Sequence, residues 1–184
     1  MILFIIIFCV LVALGFGLAS GWSDFRGLTI SNVYSAAILG AFVLAFAAFH
    51  FFAPDGAVYF GSWKSHLLAG VIMFGVTFAL YVPGWLGAGD SKLCTVFALW
   101  LGMMGLPAFL FYMTVMGGLL ALAALLIKKH KPFKSPVPGS WIAKTQEGLS
   151  AVPYGIAIAF GAVMSFVSTG YFDLARLMTL AGGS

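Results

Sequence analysis

The chain has 184 residues, of which 62% are hydrophobic and only 8% are charged, and its mean hydropathy is +1.10. Soluble domains carry roughly 25% charged residues, so this chain has too few charged side chains to cover a water-exposed surface, and we expect an integral membrane protein. The net charge of +4 is modest and the lysines lie beside apolar segments, which argues against nucleic-acid binding. The length suits one membrane domain spanning residues 1–184.

Six apolar segments predict an all-α bundle with six transmembrane spans. The first runs from Met1 to Trp22; it has no basic start and is long enough to cross a bilayer, so we expect a retained span rather than a cleaved signal peptide. The second, at 33–52, ends at the turn-like run Ala53 to Gly56, and the third is predicted at 66–82. The last is predicted at 152–168.

The stretch from Leu93 to Ile127 holds 35 residues without a charge, too many for one span of about 20 residues. Gly102, Gly105 and Pro107 offer a break, so the sequence predicts a hairpin of a short span, 91–104, and a full one, 107–127. One continuous helix would instead place its two basic ends on opposite membrane faces.

Basic residues support the hairpin and predict that the N-terminus lies outside. With six spans, most of them fall inside, as the positive-inside rule requires. The inside set is Arg26, Lys92, Lys128, Lys129, Lys131, Lys134 and Lys144, against Lys64 and Arg176 outside.

Asp24 and Asp90 abut long apolar runs and are two of only five acidic residues. The predicted topology places them in the first two cytoplasmic loops, on one membrane face. Ionisable groups so close to hydrocarbon are costly and usually mark function. A close pair of carboxylates shares a proton, so one can activate a water while the other polarises a carbonyl. Taken singly, either aspartate could equally be a helix cap or a loop residue.

The residues beside the aspartates have distinct expected roles. Gly87 and Gly89 lack side chains, so a peptide backbone could approach Asp90 closely. Arg26 and Lys92 each lie two residues from an aspartate, the wrong spacing to face it on a helix. We therefore expect them to anchor the topology.

The remaining candidate ligands form no metal-binding or redox pattern. Cys9 and Cys94 lie in apolar runs without a CxxC or Cys/His cluster, so we expect buried, unpaired thiols. His50, His66 and His130 are expected at the interface or in solvent. Neither a metal nor a cofactor is expected.

Three short motifs resemble those of a known family. Asp24-x-Arg26 followed by Ile30-x-Asn32 resembles the first motif of the type IV prepilin peptidases, a group of GxGD aspartic membrane proteases. The run from Gly87 to Lys92 resembles their GxGD motif, and the run from Val152 to Ala157 resembles their last-span signature. Ser31 departs from the proline that many members carry before the asparagine.

The resemblance implies a membrane aspartic endopeptidase that removes the leader of prepilin-like precursors at the cytoplasmic face of the bacterial inner membrane. It implies Asp24 and Asp90 as catalytic residues. Substrate-binding or site-shaping roles would fall to Gly87, Gly89, Arg26, Asn32 and Lys92. Larger members carry a cytoplasmic domain with paired CxxC motifs and methylate the new N-terminus. This chain has neither that domain nor those cysteines, so we expect cleavage without methylation. Its compact size is similar to the peptidases that serve Flp-type tight-adherence pili.

Two other classes of function remain open at this point. A small proton-coupled transporter could use the two carboxylates as a relay, although transporters usually place charge near mid-membrane and contain inverted repeats. Neither feature is apparent in this sequence. A non-catalytic subunit of a secretion assembly would leave the paired aspartate motifs unexplained.

Overall fold

The computed structural model describes residues 2–52, 62–173 and 177, and these form helices and no strands. The helices, in chain order, are α1 (Ile2–Gly27), α2 (Asn32–Phe52), α3 (Trp63–Tyr81), α4 (Ala88–His130), α5 (Trp141–Gln146) and α6 (Tyr154–Ser168). α1 to α4 are long and apolar enough to cross a membrane, and α6 is a shorter apolar helix. The prediction of an all-α membrane bundle is confirmed.

α4 folds back on itself at Gly102, where the backbone leaves the helical region with φ 61° and ψ −174°. Cys94 Sγ lies 3.8 Å from Met113 Sδ, and the rings of Phe97 and Phe109 are 6.3 Å apart. In one straight helix, Cys94 and Met113 would be separated by roughly 28 Å. The predicted hairpin is therefore correct, with its break at Gly102 while Pro107 continues the second arm.

Three side chains satisfy the backbone groups that the break exposes. Ser65 Oγ accepts a hydrogen bond from the Met103 N–H at 3.0 Å. His66 Nδ1 lies 2.6 Å from the Leu99 carbonyl oxygen, which can only accept, so Nδ1 carries the proton. The Tyr171 hydroxyl donates to the Trp100 carbonyl oxygen at 2.6 Å. Irregular backbone at membrane depth is tolerated only when protein or water pairs it, and here protein does so.

This region corrects one expectation from the sequence. His66 was expected at the interface or in solvent, yet it is only 3% exposed. Its ring packs against the rings of Phe42 and Phe46, and its Nδ1 hydrogen-bonds to the Leu99 carbonyl oxygen at the break in α4. The reason is tertiary: the break creates a buried acceptor that a nearby imidazole can satisfy.

Glycines set the close approach of α6 to its two neighbours. A Cβ on Gly21 of α1 would lie 3.1 Å from the Gly155 carbonyl oxygen of α6. A Cβ on Gly161 would lie 2.9 Å from Met113 Cβ on the second arm of α4. Small residues let the backbones of membrane helices approach closely. In a bilayer, van der Waals contacts between the helices then stabilise the packing, because the hydrophobic effect does not favour their association there. α6 is thereby held against both α1 and α4.

Basic residues collect at one end of the bundle, as the hairpin requires. Lys144 Nζ donates to the Gly27 carbonyl at the end of α1, at 2.9 Å. Lys128 Nζ donates to Ser150 Oγ at 2.7 Å. Asp24 and Asp90 lie at this end too, in the last turn of α1 and the first turn of α4 rather than in loops. The predicted turn from Ala53 to Gly56 and Arg176 lie outside the described residues.

A substitution at the break tests its backbone requirement. At φ 61° and ψ −174°, Gly102→Ala should destabilise the fold by about 1–3 kcal/mol, because this conformation is essentially restricted to glycine. The measurement is thermal unfolding in detergent. Gly118→Ala, on the same helix with open space around its Cβ, is the control and should leave the transition unchanged or slightly raised. Equal stability of the two variants would contradict the assignment.

The orientation of the bundle in the membrane can be tested by labelling introduced cysteines. The native Cys9 and Cys94 are 1% and 2% exposed and should give little background labelling. We expect an impermeant maleimide to label Lys64→Cys in intact cells. Lys134→Cys should react only after permeabilisation, because its end of the bundle carries the basic residues. The reverse pattern would show that the N-terminus lies inside.

Candidate active site

Asp24 is buried, with 6% of its surface exposed, in the last turn of α1. Its Oδ2 accepts a hydrogen bond from the Gly155 N–H at 2.7 Å. Gly155 is the second residue of α6, where the N–H has no partner within its own helix. Asp24 thus caps α6 from a different helix, and a carboxylate is favoured there by the positive end of the helix dipole.

Gly155 has to be a glycine for Asp24 to sit where it does. A Cβ at this position would lie 2.9 Å from Asp24 Cβ and 3.1 Å from Asp24 Oδ2. Real Cβ atoms are hardly ever found in contacts shorter than 3.0 Å, so any side chain would push the carboxylate away. The missing side chain is what allows the carboxylate to reach the amide.

Asp90 lies in the first turn of α4, whose N-cap is Gly87. The Gly87 backbone N–H lies near the Asp90 carboxylate and favours its charged form, as in the reciprocal half of a capping box. A Cβ on Gly87 would lie 2.8 Å from Asp90 Oδ2, so glycine leaves this oxygen uncrowded. The other oxygen, Oδ1, is buried and makes no hydrogen bond to any described residue. A carboxylate that served only as a cap would not need its second oxygen buried and unpaired.

Ile30 packs against a glycine beside each aspartate, Gly89 next to Asp90 and Gly155 against Asp24, which shows that the two acids lie near each other. A Cβ on Gly89, next to Asp90, would lie 2.9 Å from Ile30 Cβ, and a Cβ on Gly155, against Asp24, would lie 3.1 Å from Ile30 Cδ1. The two carboxylates are also close enough to interact electrostatically. α1 and the first arm of α4 therefore bring both acids to one place at the basic end of the bundle.

The short connection between α1 and α2 places Ile30. Leu28 adopts a left-handed conformation with φ 57°, which turns the chain sharply after α1. Ser23 Oγ then donates to the Thr29 carbonyl oxygen at 2.9 Å and closes the turn. The turn directs the next residue, Ile30, back toward the helix ends that carry the aspartates.

Two hydrogen bonds tether the first turn of α4 to its neighbours. Thr77 Oγ1 and Ser91 Oγ are 2.8 Å apart and join α3 to α4. Lys92 Nζ donates to Asn32 Oδ1 at 2.9 Å and joins α4 to the start of α2. Asn32 and Lys92, both predicted as site-shaping, are thus exposed and bonded to each other at the rim of the site.

Arg26 is the predicted site residue that the structure separates from the others. It is exposed, and no described hydrogen bond or ion pair joins it to Asp24 or Asp90. It lines a cavity of about 560 Å³ between the end of α1 and the chain around α5. Gly87 and Gly89, by contrast, lie directly against the Asp90 turn as predicted.

Sequence reasoning missed Ile30 and Gly155 as parts of the site. Both lie in runs noted for their resemblance to family motifs, so a signal was present. Neither has a side chain with chemistry of its own: Ile30 contributes shape and Gly155 a backbone N–H. Among the described residues, no group of three or more His, Cys, Asp or Glu side chains could hold a metal ion.

A family comparison matches residues 11–122 to the type IV leader peptidase family. The match covers more than half of the chain and includes both aspartates. The chain belongs to the type IV leader peptidase family. Comparison with curated proteins and with solved structures gave no match. As a member of a peptidase family the protein is a membrane hydrolase, which favours a peptidase over the transporter or assembly subunit that the sequence left open.

Because Gly155 packs directly against Asp24, we expect its replacement by alanine to lower peptidase activity while the protein still folds. Gly155→Ala should displace Asp24 and slow cleavage of a leader-bearing precursor peptide by roughly tenfold to a hundredfold. Purified protein in detergent is the assay system, with elution in size-exclusion chromatography as the check on folding. Gly15→Ala, on α1 with nothing within 4 Å of its Cβ, should cleave at the normal rate. A Gly155→Ala enzyme with full activity would show that this contact does not position Asp24.

Proposed function

We propose that the protein is an aspartic endopeptidase that removes the leader of prepilin-like precursors at the cytoplasmic face of the bacterial inner membrane. The observation that carries the proposal is the convergence of Asp24 and Asp90 from two helices around Ile30, in a chain of the leader peptidase family. Both acids lie at the end of the bundle where the basic residues collect. The positive-inside rule assigns that end to the cytoplasm.

In the proposed mechanism, a water held between the two carboxylates attacks the scissile carbonyl carbon. The ionised carboxylate accepts a proton from this water, and the protonated one donates a hydrogen bond to the carbonyl oxygen. Two close carboxylates resist being ionised together, which supplies the shared proton. Collapse of the tetrahedral intermediate breaks the C–N bond, and the departing amine takes up a proton from the dyad.

The surroundings of the acids support a peptide substrate. Gly87 is exposed and has extended backbone angles, φ −72° and ψ 148°, so an extended peptide can approach Asp90 from that side. Lys92 and Asn32 stand at the same rim and could orient the peptide. A basic leader would be repelled by the lysines between Lys128 and Lys144, so we assign those residues to membrane orientation.

An apolar groove next to Asp24 suits the hydrophobic segment that follows a leader. It has a volume of about 440 Å³, and no charged residue lines it. Gly21 and Ile156, on its wall, flank the point where α1 meets Gly155 and hence Asp24. A precursor whose apolar segment lay there would have its leader junction at the helix ends, beside the two acids.

The proposal covers cleavage alone, without methylation of the new N-terminus. The sequence has two cysteines, Cys9 and Cys94, which are buried in apolar helices and form no CxxC pair. The precursors we expect are those of type IV pili or related secretion systems.

Removing either acid should abolish cleavage. Asp24→Asn and Asp90→Asn keep the size of the side chain but cannot act as base or share the proton, so the rate on a leader-bearing precursor peptide should fall by roughly a hundredfold or more. The peptide is assayed with purified protein in detergent. Membrane levels of both variants should stay normal.

Glu147→Gln provides the matched control for these variants. Glu147 is an exposed acid at the same end of the bundle, at the C-cap of α5 and outside the site. Its loss should leave the rate unchanged. Wild-type cleavage by either Asn variant would rule out the dyad.

A further inference from the structure

The cavity beside Arg26 is a second place where this chain can hold a ligand. It has a volume of about 560 Å³ and lies between the last turns of α1, the chain from 133 to 137 and the start of α5. Its walls are mostly apolar, with one cation and two hydroxyl groups. The lining residues are Trp22, Phe25, Arg26, Phe133, Ser135, Pro136, Val137, Ser140 and Ile142.

Internal contacts hold this cavity open as part of the fold. Gln146 makes paired hydrogen bonds with the backbone N–H and carbonyl of Phe133, at 3.0 and 2.9 Å. Trp141 Nε1 donates to the Ala151 carbonyl oxygen at 2.8 Å, and the Trp141 ring packs against Phe25. The segment over the cavity is therefore fastened both to itself and to the end of α1.

The positive charge around the cavity favours the binding of an anionic ligand. Arg26 is exposed, and no described carboxylate pairs with it. Lys131 and Lys134 lie on either side of Phe133 in the chain and add to the positive potential. An unpaired guanidinium can bind a phosphate through two parallel hydrogen bonds, which makes arginine a preferred phosphate ligand.

The position of the cavity at the bilayer edge, together with its apolar walls, selects an amphipathic ligand. Arg26 lies in the last turn of the apolar helix α1, and Trp22 and Phe25 are side chains typical of the membrane–water interface. Basic pockets at the cytoplasmic ends of membrane helices bind anionic lipid headgroups. The neighbouring groove assigned to the precursor has no cation, so the two cavities differ in the chemistry they accept.

We propose that the Arg26 cavity binds the headgroup of an anionic phospholipid. The lipid phosphate lies on the Arg26 guanidinium, and its glycerol and upper acyl carbons pack on Trp22 and Phe25. These two rings also form part of the groove assigned to the precursor. A bound lipid therefore stands beside the bound precursor and supports the end of α1 that carries Asp24.

Lipid retention by the purified protein tests the proposal without relying on peptidase activity. Native mass spectrometry in detergent, with added phosphatidylglycerol or phosphatidylcholine, measures how much of each lipid stays bound. We expect the wild-type protein to prefer phosphatidylglycerol and Arg26→Gln to bind it roughly fivefold more weakly or worse. Arg26→Lys keeps the charge but loses the paired donors, so its retention of phosphatidylglycerol should fall between those of the wild-type protein and Arg26→Gln.

Lys64→Gln is the matched control, because it removes an exposed cation at the opposite end of the bundle and should leave lipid binding unchanged. Inorganic phosphate alone should not displace the lipid, because it lacks the apolar part that packs on the aromatic walls. Unchanged retention in Arg26→Gln would overturn the proposal. A precursor peptide that needs Arg26 for binding, while phosphatidylglycerol does not, would also overturn it and assign the cavity to peptide.

Discussion

The requirement that every backbone polar group in a bilayer find a partner governs this fold. It is most demanding at Gly102, where α4 reverses inside the apolar region. Ser65, His66 and Tyr171 pair the backbone groups freed there, and they come from the start of α3 and from the chain after α6. The hairpin can form because elements distant in sequence complete it. Without them, each unpaired group would cost several kcal/mol.

The placement of the candidate active site follows from this hairpin. Reversal of α4 returns its second arm to the end where the first began, and α6 packs on the second arm through Gly161. The start of α6 is thereby carried to the end of α1, where the Gly155 N–H meets Asp24. Asp90 is already there, at the start of the first arm. The two acids thus meet because helix ends meet, and the unpaired amides of helix starts help to hold both.

Because Asp24 and Asp90 lie at helix ends, their carboxylates can be partly buried and still take part in proton transfer. A carboxylate deep in a bilayer would be very costly to ionise, and one in open solvent would lose the strong interactions on which proton sharing depends. At the ends of α1 and α4 the acids are shielded by Ile30 and two glycines yet remain next to the exposed rim formed by Gly87, Asn32 and Lys92. A peptide bond and a water could both reach such a place.

Much of this architecture could be predicted from the sequence. Apolar runs and turn residues predicted the apolar helices to within about five residues, since hydrocarbon allows little else for such segments, whereas the short helix α5 was not predicted. The charges at Lys92 and Lys128 predicted the hairpin, because a continuous helix would have violated the positive-inside rule. Asp24 and Asp90 stood out in the sequence because an ionisable side chain next to hydrocarbon is costly in free energy. Each of these inferences rests on a property of single residues or of their order in the chain.

Composition, hydropathy and the order of charges along the chain were enough to predict the membrane class, the helical hairpin and the two acids of the candidate site, because the bilayer acts on these properties directly. The burial of His66 at a backbone break, the contacts of Ile30 and Gly155 beside the acids and the cavity at Arg26 follow from the packing of the helices. Those outcomes depend on which backbone amides and carbonyls are left unpaired and which elements lie within reach of them. Such distances arise only when the helices pack, so no pattern along the chain encodes them locally.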